Sequence, residues 1–157
     1  MALEIERKYL VQHNKWNAIE KPTGHRIRQG YILTDPEKTI RVRLKDDKGF
    51  LTIKGLTAGA TRAEYEYEIP AKDAEELLDK FSESELAKVR YNISFGNKTW
   101  EVDVFTGDND GLIVAEIELQ SEDEQFALPG WIDKEVTGEA KYYNANLTIT
   151  PYKLWNP

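Results

Sequence analysis

Hydrophobic and polar residues alternate with a period of two along most of this chain, in short runs, and that period belongs to strands rather than helices. The runs cover Leu3 to Val11, Arg26 to Leu33, Thr39 to Lys45, Phe50 to Lys54, Ala63 to Ile69, Lys88 to Phe95, Lys98 to Phe105 and Leu112 to Gln120, which predicts eight strands. Turn residues separate several of them: Asp35-Pro36, Asp46-Asp47-Lys48-Gly49, Gly96-Asn97 and Gly107-Asp108-Asn109-Asp110-Gly111. Connections this short join antiparallel neighbours, so a meander is the expected topology. After Pro70 the period changes. Ala74, Leu77, Leu78 and Phe81 recur at helical spacing opposite Lys72, Asp73, Glu75, Glu76, Asp79 and Lys80, which predicts a helix whose apolar stripe packs on the sheet. Shorter helical pieces are expected around Asn14 to Ile19, Glu122 to Ala127 and Tyr142 to Thr148, the last ended by Pro151. No repeat or linker interrupts the pattern, and residues 1–157 read as one β-rich α+β domain.

The polar faces are more informative than their spacing. Side chains two apart on a strand share a face. That groups Glu4 with Glu6 and Lys8, Arg41 with Arg43, Glu64 with Glu66 and Glu68, Lys88 with Arg90, Glu101 with Asp103, and Glu116 with Glu118; Lys54 adds one base. The opposite faces carry Leu3, Ile5 and Tyr9, then Ile40, Val42 and Leu44, and so on to Ala115, Ile117 and Leu119. A sheet with one dry and one wet face would also alternate in this way. A surface built only for solubility, however, mixes both signs, whereas here like charges neighbour one another strand after strand. Paired carboxylates repel unless a cation lies between them, and paired arginines call for an anion. If the sheet closes into a barrel, these faces form a lumen with nine carboxylates and six bases, covered outside by helices on the apolar face. Carboxylate oxygens suit Mg²⁺ or Mn²⁺, and Arg with Lys suits phosphate oxygens. Such a lumen fits a polyphosphate chelated to a divalent metal, and metal-assisted in-line displacement at a phosphoanhydride is the chemistry it supports.

Composition narrows the field. The formal net charge of -7 argues against a nucleic-acid partner held by bulk electrostatics, so an anionic ligand needs a locally basic pocket or a bridging cation. Zero cysteines exclude disulfides, thiolate zinc sites and cysteine nucleophiles. With no long apolar segment and no signal-like N-terminus, no membrane partner is expected and the location expected is cytoplasmic. There is no Walker loop, no G-x-G-x-x-G and no H-E-x-x-H, and His13 and His25 lie far from any zinc-ligand spacing.

Glu4-Ile5-Glu6-Arg7-Lys8 reads E-x-E-x-K. It is followed in order by Arg26-Ile27-Arg28-Gln29-Gly30-Tyr31, Arg41-Val42-Arg43, Leu51-Thr52-Ile53-Lys54-Gly55, Arg62 with Glu64-Tyr65-Glu66, Lys88-Val89-Arg90, Glu101-Val102-Asp103-Val104-Phe105 and Glu116-Ile117-Glu118. This series resembles the CYTH superfamily of triphosphate tunnel metalloenzymes. The tail, Lys134-Glu135-Val136-Thr137-Gly138 with Tyr142, Asn144 and Leu147, resembles the short bacterial inorganic triphosphatases, except that Lys141 stands where the resemblance expects Arg. The resemblance implies an eight-stranded antiparallel closed barrel with flanking helices, in which Lys8, Arg41, Arg43, Lys54, Lys88 and Arg90 contact the triphosphate. It implies that Glu4, Glu6, Asp103, Glu116 and Glu118 hold Mg²⁺ or Mn²⁺, and that Glu64 and Glu66 flank the hydrolytic water, so that Glu4, Glu6, Lys8, Glu64 and Glu66 form the catalytic group. Tyr31 corresponds to a gate residue that tethers a C-terminal helix across the tunnel mouth. Glu68 and Glu101 share the lumen parity without an implied role.

Inorganic tripolyphosphate is the favoured substrate. Thiamine triphosphate and cyclisation of ATP use the same lumen, and a non-catalytic module binding polyphosphate or nucleotide is the alternative of another class. A thiamine enzyme would want an aromatic platform at the mouth, for which Trp16, Trp100 and Trp131 are candidates; with Trp155 they otherwise read as packing residues. The expected partner is a small-molecule polyphosphate or nucleoside triphosphate, with a homodimer as the candidate assembly.

Overall fold

The computed structural model describes residues 3–35 and 37–155. Pro36, in the expected Asp35-Pro36 turn, lies outside the described residues. The strands are β1 (Leu3–Val11), β2 (His25–Asp35), β3 (Lys38–Lys45), β4 (Lys48–Gly55), β5 (Thr61–Ile69), β6 (Ser84–Phe95), β7 (Lys98–Phe105), β8 (Ile113–Glu118) and β9 (Ile132–Glu135). The helices are α1 (His13–Ala18), α2 (Ala71–Phe81) and α3 (Asn144–Ile149), with 3-10 turns at Gly107–Asn109, Ala140–Tyr142 and Tyr152–Leu154. No described helix is long and apolar enough to cross a membrane.

All eight expected strands form, and they close into an antiparallel barrel. The order is β5-β4-β3-β2-β6-β7-β8-β1, and β1 returns to β5 through Leu3 opposite Ala63, Glu4 opposite Arg62 and Ile5 opposite Thr61. This is not one meander. The stretch containing α2 carries the chain from β5 past three strands, so β6 pairs with β2, and β1 is inserted between β8 and β5. The tight β6–β7 turn suits its residues: Gly96 and Asn97 both have positive φ, 57° and 61°, as the two-residue hairpin with the twist of its strands requires.

Three local expectations need correction. Residues 122–127 form a turn and an irregular stretch rather than a helix, because the segment has no apolar stripe to bury; Phe126 alone packs inward, edge-on to Tyr9 and Trp100. A ninth strand, β9, pairs with the second half of β1. It escapes the period-two reading because only Ile132 of its four residues is apolar and buried. Phe81, the last residue of α2, is 60% exposed, so the stripe that packs on the barrel is Ala74 and Leu78 with Leu77 beside them. That packing needs Gly49 in β4, where a Cβ would come within 2.7 Å of the Ala74 methyl. Arg28, outside the barrel, ties α2 down through Asp79 at 2.8 Å and reaches Glu85 of β6 at 2.6 Å.

The apolar outer face is buried in two patches. Trp16, Trp100 and Trp131 join Tyr9, Val102, Ala115 and Ile117 around β1, β7 and β8, and α2 covers Val42 and Leu51. Over β4, β5 and the start of β1 the face stays open, leaving Leu3, Ile53, Tyr65 and Tyr67 exposed, so the flanking helices cover less of the barrel than expected. At one end the inward-facing positions change from charged to apolar: Leu86 follows Lys88, Phe105 follows Asp103 and Val114 follows Glu116 at the same parity. These side chains pack with Tyr142 and the fully buried Leu147, so the C-terminal segment closes that end of the barrel.

Candidate active site

The charged faces of the strands turn inward around a cavity of about 540 Å³. Its walls include Glu4, Glu6 and Lys8 of β1, Arg41 and Arg43 of β3, Lys54 of β4, Arg62, Glu64 and Glu66 of β5, Arg90 of β6, Glu101 of β7, and Glu116 with Glu118 of β8. Tyr31, Tyr143 and Asn144 also line it. The parity of the sequence therefore puts the expected side chains together, with three exceptions. Glu68, on the stretch of β5 beyond its pairing with β1, is exposed and does not line the cavity. Lys88 and Asp103 are buried behind the wall rather than facing the space.

Asp103 is the anchor of the basic wall. Arg90 donates to it from Nε at 2.7 Å and from Nη2 at 2.9 Å, and Lys88 donates to it at 2.7 Å. Burial alone would raise this carboxyl, but Arg90 and Lys88 hold it well below the usual carboxylate range. The second bond of Lys88 goes to the Asn144 side chain at 3.0 Å, and Lys8 donates to the Tyr142 carbonyl at 3.2 Å, so the basic wall also holds the C-terminal segment in place. Burial, with Arg90 and Arg43 nearby, pushes the Lys88 ammonium down to about 7 against the pull of Asp103.

Two arginines are incompletely satisfied. Arg41 reaches Thr52 at 3.1 Å and Glu66 at 3.3 Å, but its Nε is buried with no partner. Arg43, 8% exposed, makes one side-chain hydrogen bond among the described residues, to the neutral Gln29 amide oxygen at 2.9 Å. Burial beside Arg41 and Arg90 pushes this guanidinium down to about 9. An arginine does not release its proton in a protein, so the charge stays, buried beside two like charges, and an incoming anion would offset it.

The carboxylates show the opposite imbalance. Glu6 sits opposite Glu118 in the β1–β8 register, Lys8 opposite Glu116, and Glu101 opposite Glu116 in β7–β8. Burial, then Glu116 and Glu4, push the Glu6 carboxyl well above its ordinary range. Burial also raises Glu4 and Glu118, each with other carboxylates nearby. Glu116 escapes this, since Lys8 and Arg90 overcome burial and hold it down to about 2. Lys54 bridges Glu4 and Glu64 at 3.1 Å each. Among the described residues no three acidic or histidine side chains converge as a ready-made metal cluster. The chemistry of the set nonetheless fits a hard divalent cation: its carboxylates repel one another, and a cation relieves that repulsion.

Some participants had no signal in charge parity. Gln29 and Thr52 are fully buried on the inward faces of β2 and β4, and Asn144 comes from the C-terminal segment. Gln29 shares its parity with Tyr31, but an uncharged residue does not stand out in a search for like-sign pairs. Tyr31 lines the cavity; its hydroxyl accepts from Gln29 at 3.5 Å. Trp16, Trp100 and Trp131 are all in the outer core and none lines the cavity, so none of the three supplies the aromatic platform considered for thiamine.

Residues 2–149 match the CYTH domain. The chain is 47% identical over 154 residues, 98% of this chain and 97% of the relative, to an inorganic triphosphatase of Acetivibrio thermocellus. It is 34% identical over 155 residues, 94% of this chain and 97% of the relative, to an inorganic triphosphatase of Nitrosomonas europaea. Among solved structures it is similar to that of the inorganic triphosphatase NE1496, with a TM-score of 0.65 and 30% identity over 100% of this chain and 98% of the other. A putative adenylate cyclase from Bacillus halodurans, 18% identical with a TM-score of 0.63 over 78% of this chain and 84% of the other, shares the fold.

Proposed function

The chain belongs to the CYTH domain family, and from that premise we propose that it hydrolyses inorganic triphosphate to pyrophosphate and phosphate with the help of Mg²⁺ or Mn²⁺. The observation that carries this reading is the divided electrostatics of one cavity. Arg43 has no carboxylate partner among the described residues and Arg41, paired with Glu66, keeps a buried unbonded Nε on one side, while Glu4, Glu6 and Glu118 crowd one another on the other. A polyphosphate carrying a divalent cation supplies both missing charges at once.

In this reading Arg41, Arg43, Arg90, Lys8 and Lys54 neutralise the phosphate chain. Glu4, Glu6, Glu116 and Glu118 hold the metal, which when bound polarises phosphoryl oxygens and lowers the pKa of water. Glu64 and Glu66, on the neighbouring wall, orient the attacking water and accept its proton. Lys54, held between Glu4 and Glu64, links the two acidic groups. Asp103 and Lys88 act one layer back: Asp103 fixes the Arg90 fork, and Lys88 ties that layer to Asn144. The closed apolar end limits the length of chain that enters.

The test is phosphate release from tripolyphosphate, ATP, thiamine triphosphate and pyrophosphate, each with Mg²⁺, Mn²⁺ or EDTA, with cyclic AMP assayed in the ATP reactions. Metal-dependent release confined to tripolyphosphate is the expected result. Cyclic AMP from ATP, or turnover that survives EDTA, would overturn it.

A further inference from the structure

The lumen bases are not equivalent. Lys8 lies 3.5 Å from Glu116, Arg41 3.3 Å from Glu66, Lys54 3.1 Å from Glu4, and Lys88 and Arg90 each 2.7 Å from Asp103. Arg62 is without a carboxylate among the described residues, but its guanidinium is engaged by the Gly55 carbonyl at 2.9 Å and the Thr39 hydroxyl at 3.4 Å. Arg43 alone among the six expected phosphate ligands has no carboxylate within ion-pair distance among the described residues. Its partner is Gln29, directly opposite in the β2–β3 register and fully buried, whose Oε1 accepts from Arg43 Nε at 2.9 Å. The other end of the same amide donates toward the Tyr31 hydroxyl at 3.5 Å; Arg43, which can only donate, fixes which way the amide points.

We propose that Gln29 is a positioning residue that sets the affinity of the tunnel for its phosphate chain, aiming the Arg43 guanidinium into the lumen while leaving its charge uncancelled. This rests on the triphosphatase reading above. A carboxylate of the same shape would hold Arg43 equally well, and better in electrostatic terms, but it would neutralise the one expected phosphate ligand that has no carboxylate partner among the described residues. An amide oxygen orients without neutralising. A buried amide is therefore the choice that favours binding at the expense of the stability of the empty protein, as expected where a site is held in wait for an anion.

Two variants separate this role from simple packing. Gln29→Glu gives Arg43 a permanent counter-charge, and Gln29→Met keeps the volume but removes the acceptor. For each, the melting temperature of the ligand-free protein is read together with the dissociation constant for tripolyphosphate in EDTA, by calorimetry, and with kcat and KM in Mg²⁺. Gln29→Glu is expected to raise the melting temperature and weaken binding about tenfold or more, with the loss in KM. Gln29→Met is expected to lower the melting temperature and weaken binding less. A residue that only packs would make affinity follow stability in both variants. Binding by Gln29→Glu within twofold of the parent protein, or affinity that follows melting temperature, overturns the inference while leaving the triphosphatase reading intact. If the parent protein itself neither binds nor hydrolyses tripolyphosphate, the reading falls, and the inference with it.

Discussion

At the scale of single residues, the lumen separates groups held for the ligand from groups held for the fold. Glu6 belongs to the first kind. Its carboxyl is raised in the folded protein by burial, Glu116 and Glu4, so its contribution to stability is fully present below its unfolded value and is lost as pH rises through the folded one. Gln at this position removes that loss. Glu6→Gln is expected to raise the melting temperature of metal-free protein at pH 7, on the order of 2–4 °C for each kcal/mol relieved in a chain of this size, while turnover falls at least ~100-fold. Thermal unfolding and phosphate release on the same preparation check both halves. Arg43 and Arg90 give the complementary contrast. Arg90→Ala strands the buried Asp103 with Lys88 alone and should destabilise by about 3–5 kcal/mol in denaturant titration. Arg43→Met removes an uncompensated charge, so it should leave stability unchanged or improved while KM for tripolyphosphate rises at least ~10-fold.

At the scale of elements, the helices act as closures of a barrel that the strands define. α3 carries Leu147 into the apolar end, and the surrounding bonds come from Asn109 to the Leu147 carbonyl at 3.2 Å and between Ser84 and Thr148 at 2.7 Å. Leu147→Ala should cost about 2–5 kcal/mol, with amide exchange accelerated most in residues 140–155. α2 depends on close approach rather than on a long apolar stripe, as Gly49 shows. The strands were legible because each is amphipathic in its own right. The small elements were not, since β9 and the segment at 122–127 take their form from what they lie against, and Phe81 is apolar by periodicity but placed beyond the buried stripe.

At the scale of the whole molecule, the fold holds an acidic group and a basic group on facing strands of one barrel, so metal binding, pH and stability are coupled. Glu4, Glu6 and Glu118, all raised, bind a cation more readily as pH takes them through their folded values. The stabilisation by Mn²⁺ should therefore grow as pH rises above the ordinary carboxylate range in thermal scans, and Glu6→Gln should flatten that dependence. Glu116, held down to about 2, keeps its contribution until the pH falls well below 4.

The sequence by itself determined the strands, the inward and outward faces, and the membership of nearly every lumen side chain, because strand parity is local and like charges repeated along one face have few explanations. It identified Glu4, Glu6, Lys8, Arg41, Arg43, Lys54, Arg90 and Glu116 as a set without any coordinate. Only the tertiary structure decided how that set divides. Asp103 and Lys88 share the parity of the lumen, yet they withdraw behind it because Asp103 accepts from both Lys88 and Arg90. Glu68 shares the parity of Glu64 and Glu66 but lies outside the cavity, and Gln29, buried behind the wall, joins the site because it faces Arg43 across β2 and β3. Register between strands, not alternation within one, chooses which charges cancel and which remain for a ligand. Nothing along a single strand encodes that choice.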